Sequence, residues 1–166
     1  MKLLKLQITE FGGLRDTVLE PGAGLNIIEG DNESGKSTVL AFIRFMLYGL
    51  GGRAGGSEPS DKERYPSWAG GRAAGIMTLV TSDGRRWRIE REGVITHTAR
   101  GDSYNEKPVR IFDDETGELV HRGQCPGELF LGLSVQNFNC TCAVAQLNNS
   151  ELGAGELGNG IENMLR

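Results

Sequence analysis

Cysteine and histidine are both scarce in this 166-residue chain, with three of the first and two of the second. An odd number of cysteines closes no disulfide framework and reads as a reducing compartment. Cys140 and Cys142 stand two apart in an apolar run and are expected as small buried thiols, with Cys125 well before them. His97 and His121 are isolated from these thiols in sequence, so no zinc-type ligand set is assembled. No apolar run approaches the length of a membrane span, and Met1-Lys2-Leu3-Leu4-Lys5 is broken by charge before an apolar leader core forms. A cytoplasmic protein with no membrane association is the expectation. Neither sign of charge dominates: 18 basic against 22 acidic side chains leave a net charge of −4. That balance does not suggest a nucleic-acid coat, although residues 51–110 carry 11 basic and 8 acidic side chains. No internal repeat or low-complexity segment is evident.

Glycine, by contrast, is abundant at 25 residues, and two of them matter most. Gly30, Gly35, Lys36 and Ser37 match G-x-x-x-x-G-K-[ST] within Leu25-Asn26-Ile27-Ile28-Glu29-Gly30-Asp31-Asn32-Glu33-Ser34-Gly35-Lys36-Ser37-Thr38. A loop that wraps a di- or triphosphate must turn its backbone N–H groups inward, and the two glycines permit that approach. Lys36 brings a mobile positive charge to the β/γ oxygens, and Ser37 offers a hydroxyl to Mg²⁺. The helix that follows aims its positive end at the same anion. The flanks agree with this reading. Leu25, Ile27 and Ile28 suit a buried strand over 25–29, and Val39 to Leu47 form a helix apolar on nearly every side, running from Ser37 to about Tyr48 and closed by Gly49.

The rest of the chain reads as strands and turns. Leu4, Leu6 and Ile8 alternate with polar residues in a first strand, Phe11-Gly12-Gly13-Leu14 turns the chain, and Thr17-Val18-Leu19 returns it. Residues 49–75 read as a glycine-rich surface loop, within which Tyr65 and Trp68 of Arg64-Tyr65-Pro66-Ser67-Trp68 are expected to pin the loop to the body. Two hairpins follow. Ile76–Val80 pairs with Trp87–Glu92 about Asp83-Gly84, and the arm bearing Val109, Ile111 and Phe112 pairs with Leu119-Val120 about Glu115-Thr116-Gly117. A short helix is expected over 126–134 and an apolar strand over Cys140–Gln146. Ile161, Met164 and Leu165 recur at helical spacing at the end.

A phosphate loop alone names no substrate. A GTPase would need N-K-x-D, and Asn105-Glu106-Lys107-Pro108 lacks it; Asp114-Glu115-Thr116-Gly117 fits D-x-x-G but reads equally as a hairpin turn. Val109 to Asp114 imitates a strand ending in a Mg²⁺-ordering acid. Arg110 opposes that reading, because a central parallel strand is buried on both faces. A small-molecule kinase would cluster lid arginines, for which only those between Arg85 and Arg91 qualify. A non-hydrolysing nucleotide sensor is the remaining alternative. Gln146, beyond an apolar run, offers a neutral amide that can coordinate Mg²⁺ and orient an attacking water.

The opening Leu6-Gln7-Ile8-Thr9-Glu10-Phe11-Gly12, the Gly24–Thr38 block and Phe42-Ile43-Arg44-Phe45-Met46-Leu47-Tyr48-Gly49 resemble the N-terminal half of an SMC/RecN/RecF-type, ABC-class ATPase head. The likeness is nearest to the bacterial YhaN-like AAA family, with an Arg-Tyr-x-Pro-Trp-like segment at Arg64–Trp68 and matches at Leu133-Ser134, Phe138 and Gln146. It implies an α/β phosphate-loop NTPase fold: a mixed sheet with the loop and its helix at the centre, plus an antiparallel hairpin layer from residues 76–120. Residues 1–150 would form the N-terminal lobe, and 151–166 the start of a helix cut short before a coiled coil. The signature loop, the Walker B acids and the switch histidine would lie in a C-terminal half absent from this sequence. ATP and Mg²⁺ are the implied ligands. Gly30, Asn32, Glu33, Ser34, Gly35, Lys36, Ser37 and Thr38 would hold the nucleotide, Arg15 would approach it, Lys36 and Gln146 would act in catalysis, and Ser37 with Gln146 would hold the metal. The implied partners are the C-terminal half, a second copy joined through an ATP sandwich, DNA and a nuclease.

Overall fold

The computed structural model describes residues 1–51, 59–99 and 101–143. Seven strands form one sheet: β1 (Lys2–Phe11), β2 (Leu14–Leu19), β3 (Arg72–Val80), β4 (Arg86–Thr98), β5 (Gly101–Glu106), β6 (Arg110–Asp113) and β7 (Leu119–Arg122). Their order is β2-β1-β3-β4-β6-β7, and β5 pairs with β4 off this path. Every pairing is antiparallel. The expected mixed sheet with a separate hairpin layer is therefore corrected among the described residues. The predicted hairpins are continuous with β1 and β2, because β3 pairs with β1 along almost its whole length.

Alternation decides which face is buried. Leu6, Ile8, Met77, Leu79, Ile89 and Ile111 all point to one side and are buried there. The helix α1 (Lys36–Tyr48) covers that side with Val39, Ala41, Phe42, Phe45, Met46 and Leu47. Phe11 joins the cluster, edge-on to Phe42 at 5.3 Å and stacked on Phe45 at 5.2 Å. Gly75 makes the close approach possible, since a Cβ there would sit 2.5 Å from Phe42 Cζ and 2.4 Å from the carbonyl oxygen of Gln7. Leu40, Ile43 and Arg44 of α1 are half-buried, and Arg44 ties the helix to α2 (Asp61–Arg64) through Asp61 at 2.7 Å.

Two short helices close the far end, α3 (Pro126–Leu131) and α4 (Val135–Thr141). Tyr48 Oη donates to the carbonyl of Leu133 at 3.0 Å, and burial pushes its hydroxyl pKa up to about 12. The strand expected over Cys140–Gln146 is corrected in its first residues, because Cys140 and Thr141 belong to α4; residues 144–146 lie outside those described. Ser134 starts this helix by accepting from the backbone N–H of Asn137. The thiols are not the buried groups expected. Cys140 and Cys142 are exposed on the outer side of α4 and its end, and Cys125 is half-buried. Residues 151–166, and with them the expected terminal helix, also lie outside the described residues.

One expectation fails close to the phosphate loop. Residues 25–29 form no strand: Leu25, Ile27 and Ile28 are 88%, 73% and 51% exposed. A strand needs a hydrogen-bonding neighbour, and none of the seven strands lies beside this segment.

Candidate phosphate-binding site

The loop between Gly30 and α1 is shaped by its backbone. Glu33 and Gly35 adopt left-handed conformations at φ 66° and 93°. Ser34 N–H donates to the Asp31 carbonyl at 3.2 Å, closing a turn across the loop. A Cβ on Gly30 would meet Ser34 Oγ at 2.6 Å, and one on Gly35 would meet Leu14 Cδ2 at 2.7 Å. A larger residue at either position would displace these side chains, and at Gly35 the left-handed backbone disfavours any other residue. Left-handed residues in succession with right-handed ones turn N–H groups to one side, a concavity suited to an anion.

The first turn of α1 opens onto that concavity. No side chain caps it and no acid lies within it, so its leading N–H groups are offered outward from Gly35, Lys36, Ser37 and Thr38. Lys36 curls back over the loop, its Nζ donating to the carbonyl oxygens of Gly30 at 2.7 Å and Asp31 at 2.6 Å. The ammonium is therefore held at the loop mouth by two neutral acceptors, which an anion with formal charge would outcompete. Asn32, Glu33, Ser34 and Ser37 are exposed around this mouth, and Thr38 is half-buried with Cγ2 facing Gly12.

Arg15 is on β2, one residue past Leu14. Its guanidinium is half-exposed and, among the described residues, makes a 3.5 Å contact with Glu10. Leu14, the residue before Arg15, buttresses the loop against Gly35. Leu14 is a site residue that the sequence reading missed; an apolar side chain just past a Gly-Gly turn was its only signal. Gln146 lies outside the described residues, so the Ser37–Gln146 metal pair has no geometry here. Among the described residues no cluster of three or more His, Cys, Asp or Glu side chains could hold a metal ion.

The competing motifs are occupied with structure. Asp113 accepts from the backbone N–H groups of Glu115 and Thr116 at 3.0 and 3.1 Å and from Arg85 at 2.9 Å. Those bonds, the Thr116 N–H foremost and then Arg85, hold its carboxyl below the usual range. It closes the β6–β7 turn, in which Gly117 N–H donates to the Asp113 carbonyl at 2.9 Å. Asp114–Gly117 is thus a hairpin turn, as the alternative reading had it. Three of the arginines that a kinase lid would need are committed to ion pairs: Arg85 with Asp113, Arg88 with Glu90, and Arg91 with Glu106.

Comparison with known proteins gives the family. The profile of an AAA domain family matches residues 5–149. The chain belongs to this AAA domain family. It has the character of the N-terminal region of an SMC/RecF-type ABC ATPase head. It is 30% identical over 143 residues to the DNA replication and repair protein RecF of Xanthomonas oryzae pv. oryzae, a match that covers 79% of this chain and 39% of that protein. RecF of Teredinibacter turnerae is 45% identical over 47 residues, 28% of this chain and 12% of the relative. The DNA double-strand break repair Rad50 ATPase of Archaeoglobus fulgidus is 30% identical over 134 residues, 80% of this chain and 14% of the relative. The AAA domain described here therefore spans well under half the length of each of these curated relatives. No helix among the described residues is long and apolar enough to cross a membrane.

Proposed function

We propose that this chain is the ATP-binding lobe of an SMC-like ATPase of the YhaN-like branch, coupling ATP binding and hydrolysis to DNA repair or chromosome maintenance. The observation that carries the reading is the phosphate loop itself: Lys36 held over Gly30 and Asp31, left-handed backbone at Glu33 and Gly35, and an uncapped helix behind them. Within it Lys36 neutralises the β/γ-phosphates, and Ser37 with Gln146 holds Mg²⁺. Gly30, Asn32, Glu33, Ser34, Gly35 and Thr38 make the remaining loop contacts, and Arg15 approaches from the turn. Gln146 also orients the attacking water, the role of a neutral amide in phosphoryl transfer.

The lobe works with the C-terminal half of the same head and with a second copy across the bound ATP. Support comes from Leu25, Ile27 and Ile28, three exposed apolar residues leading directly into the loop. Exposed apolar runs of this kind are covered in a finished fold. DNA is the substrate surface, in keeping with the names of the RecF and Rad50 relatives, and a nuclease is its companion. Alone, the chain binds ATP weakly and turns it over poorly, since no catalytic acid is found among its described residues. The test is steady-state ATP hydrolysis by the chain with and without the C-terminal half, in the presence of DNA. Stimulation by both supports the proposal. Turnover by the chain alone, with phosphate passed to a small acceptor, would instead favour a kinase.

A further inference from the structure

Residues 65–68 cross against the β1–β2 turn. The crossing is fixed at several points. Gly12 N–H donates to the Tyr65 carbonyl at 2.7 Å, and Trp68 N–H donates to the Gly12 carbonyl at 3.4 Å. The Tyr65 ring stacks on Phe11 at 5.1 Å and 8°. Tyr65 therefore pins the loop, as expected from sequence. Trp68 does not bury itself with it: it is 83% exposed. Its six-membered ring rests on Gly13, where a Cβ would come within 3.1 Å of Cζ3 and 3.3 Å of Cη2.

The same turn touches the nucleotide loop through Leu14 against Gly35 and Gly12 against Thr38. An aromatic plane with its backbone anchored and one face open thus stands just across a short turn from the N-terminal end of α1. Tryptophan is well buried on average, so an anchored yet exposed indole on the turn that also touches Gly35 and Thr38 asks for a flat ligand. A nucleoside triphosphate supplies both parts, phosphates for the loop and a base for the ring.

We propose that Trp68 is the stacking platform for the base of the nucleotide, with Gly13 kept small so that the indole can lie on the turn. This rests on the reading of Gly30–Thr38 as a triphosphate site. Stacking uses the π-face and not the base edge, so the platform favours nucleotides over bare triphosphate and discriminates little between adenine and guanine.

The chain reports on the proposal directly, because its other tryptophan, Trp87, is buried beside Phe130 at 5.4 Å with its N–H on Thr81 Oγ1. Mg-ATP and Mg-tripolyphosphate are titrated into the wild-type chain by fluorescence and calorimetry, and the calorimetry is repeated on Trp68→Ala and Trp68→Phe. ATP is expected to change the indole emission, while tripolyphosphate binds without doing so. Trp68→Ala should weaken ATP about tenfold and leave tripolyphosphate affinity unchanged, with Trp68→Phe restoring most of the loss. ATP binding with unchanged emission and unchanged affinity in Trp68→Ala overturns the platform and leaves the phosphate site standing. Equal weakening of both ligands in Trp68→Ala also overturns it, since the residue would then be shaping the loop. Failure of the wild type to bind either ligand overturns the phosphate reading, and the platform with it.

Discussion

Arg91 and Glu106 form an ion pair beneath the last turn of α1, with Nη1 2.9 Å from Oε2. Arg91 is only 8% exposed, and its Nε also reaches the Met46 carbonyl at 3.4 Å. The second carboxylate oxygen of Glu106 accepts from Leu50 N–H at 2.7 Å. One acid therefore holds both Leu50, two residues past α1, and the arginine of β4 against the end of the helix. Removing one partner of such a pair strands the other, which costs more than the pair is worth. Glu106→Ala should lower stability by about 2 kcal/mol in urea denaturation, and Arg91→Met, which removes the charge but keeps bulk, by less. A double-mutant cycle with no coupling between the two sites would contradict this account.

Nearby, Tyr104 offers the opposite case. Its hydroxyl is buried with no hydrogen-bond partner among the described residues, and burial drives its pKa strongly upward. Tyr104→Phe removes an unsatisfied polar atom while keeping the ring, so it should be neutral or stabilising by up to about 1 kcal/mol in thermal denaturation. A clear loss of stability would show that the hydroxyl has a partner in solution.

Gly35 carries two constraints at once, a φ of 93° and the Leu14 side chain where its Cβ would be. Gly35→Ala should therefore cost about 1–3 kcal/mol and weaken nucleotide binding at least tenfold. Adding Leu14→Ala relieves the clash but not the backbone strain. Partial recovery of stability in the double variant, read by thermal melting, is the expected result; full recovery would mean the left-handed conformation is unimportant.

Acid should destabilise the β6–β7 turn through Asp113. Its folded pKa lies below the ordinary value of 3.8, held there by the Thr116 N–H and by Arg85. A depressed carboxylate contributes stability that is complete above the ordinary value and is lost as pH falls through the folded one. Glu92, lowered chiefly by its bond to Lys107, adds to the same slope from its ordinary value of 4.5. Urea midpoints measured from pH 6 down to pH 2 should fall, and Asp113→Asn should flatten the fall. An unchanged slope in that variant would remove Asp113 from the account.

Much of this structure was legible in the sequence because its elements announce themselves locally. The apolar run from Val39 to Leu47, the Asp83-Gly84 turn and the Glu115–Gly117 turn each bring their own signal, and each was found where expected. Strand β5 was not legible. Its residues Gly101–Glu106 are mostly polar and pair on one side only, so no alternation marks them. The segment 25–29 shows the reverse failure. Its apolar run is a true strand signal, yet strand formation depends on a neighbour that local sequence does not reveal. Of the candidate site, the Gly30–Thr38 motif and the helix behind it were legible in the sequence. The buttress Leu14 and the exposed ring of Trp68 depend on tertiary placement and were not.

The exposed run at Leu25, Ile27 and Ile28 makes its own prediction. Ile27→Glu should improve the solubility of the chain by breaking an apolar patch while leaving its melting temperature within about 1 °C, since little burial is lost. The same change should weaken association with the C-terminal half, measured by co-purification. Undiminished association would show that this segment is not the contact.

The central claim is that main-chain amides between Gly30 and Thr38, with the Lys36 ammonium beside them, grip a triphosphate. Calorimetric titration of Mg-ATP into the chain joined to its C-terminal half, beside the Lys36→Ala variant, tests it most directly. The account predicts binding heat for the wild type, its loss in Lys36→Ala, and an unaltered thermal melt. Equal heats for the two proteins, or none for either, would contradict it.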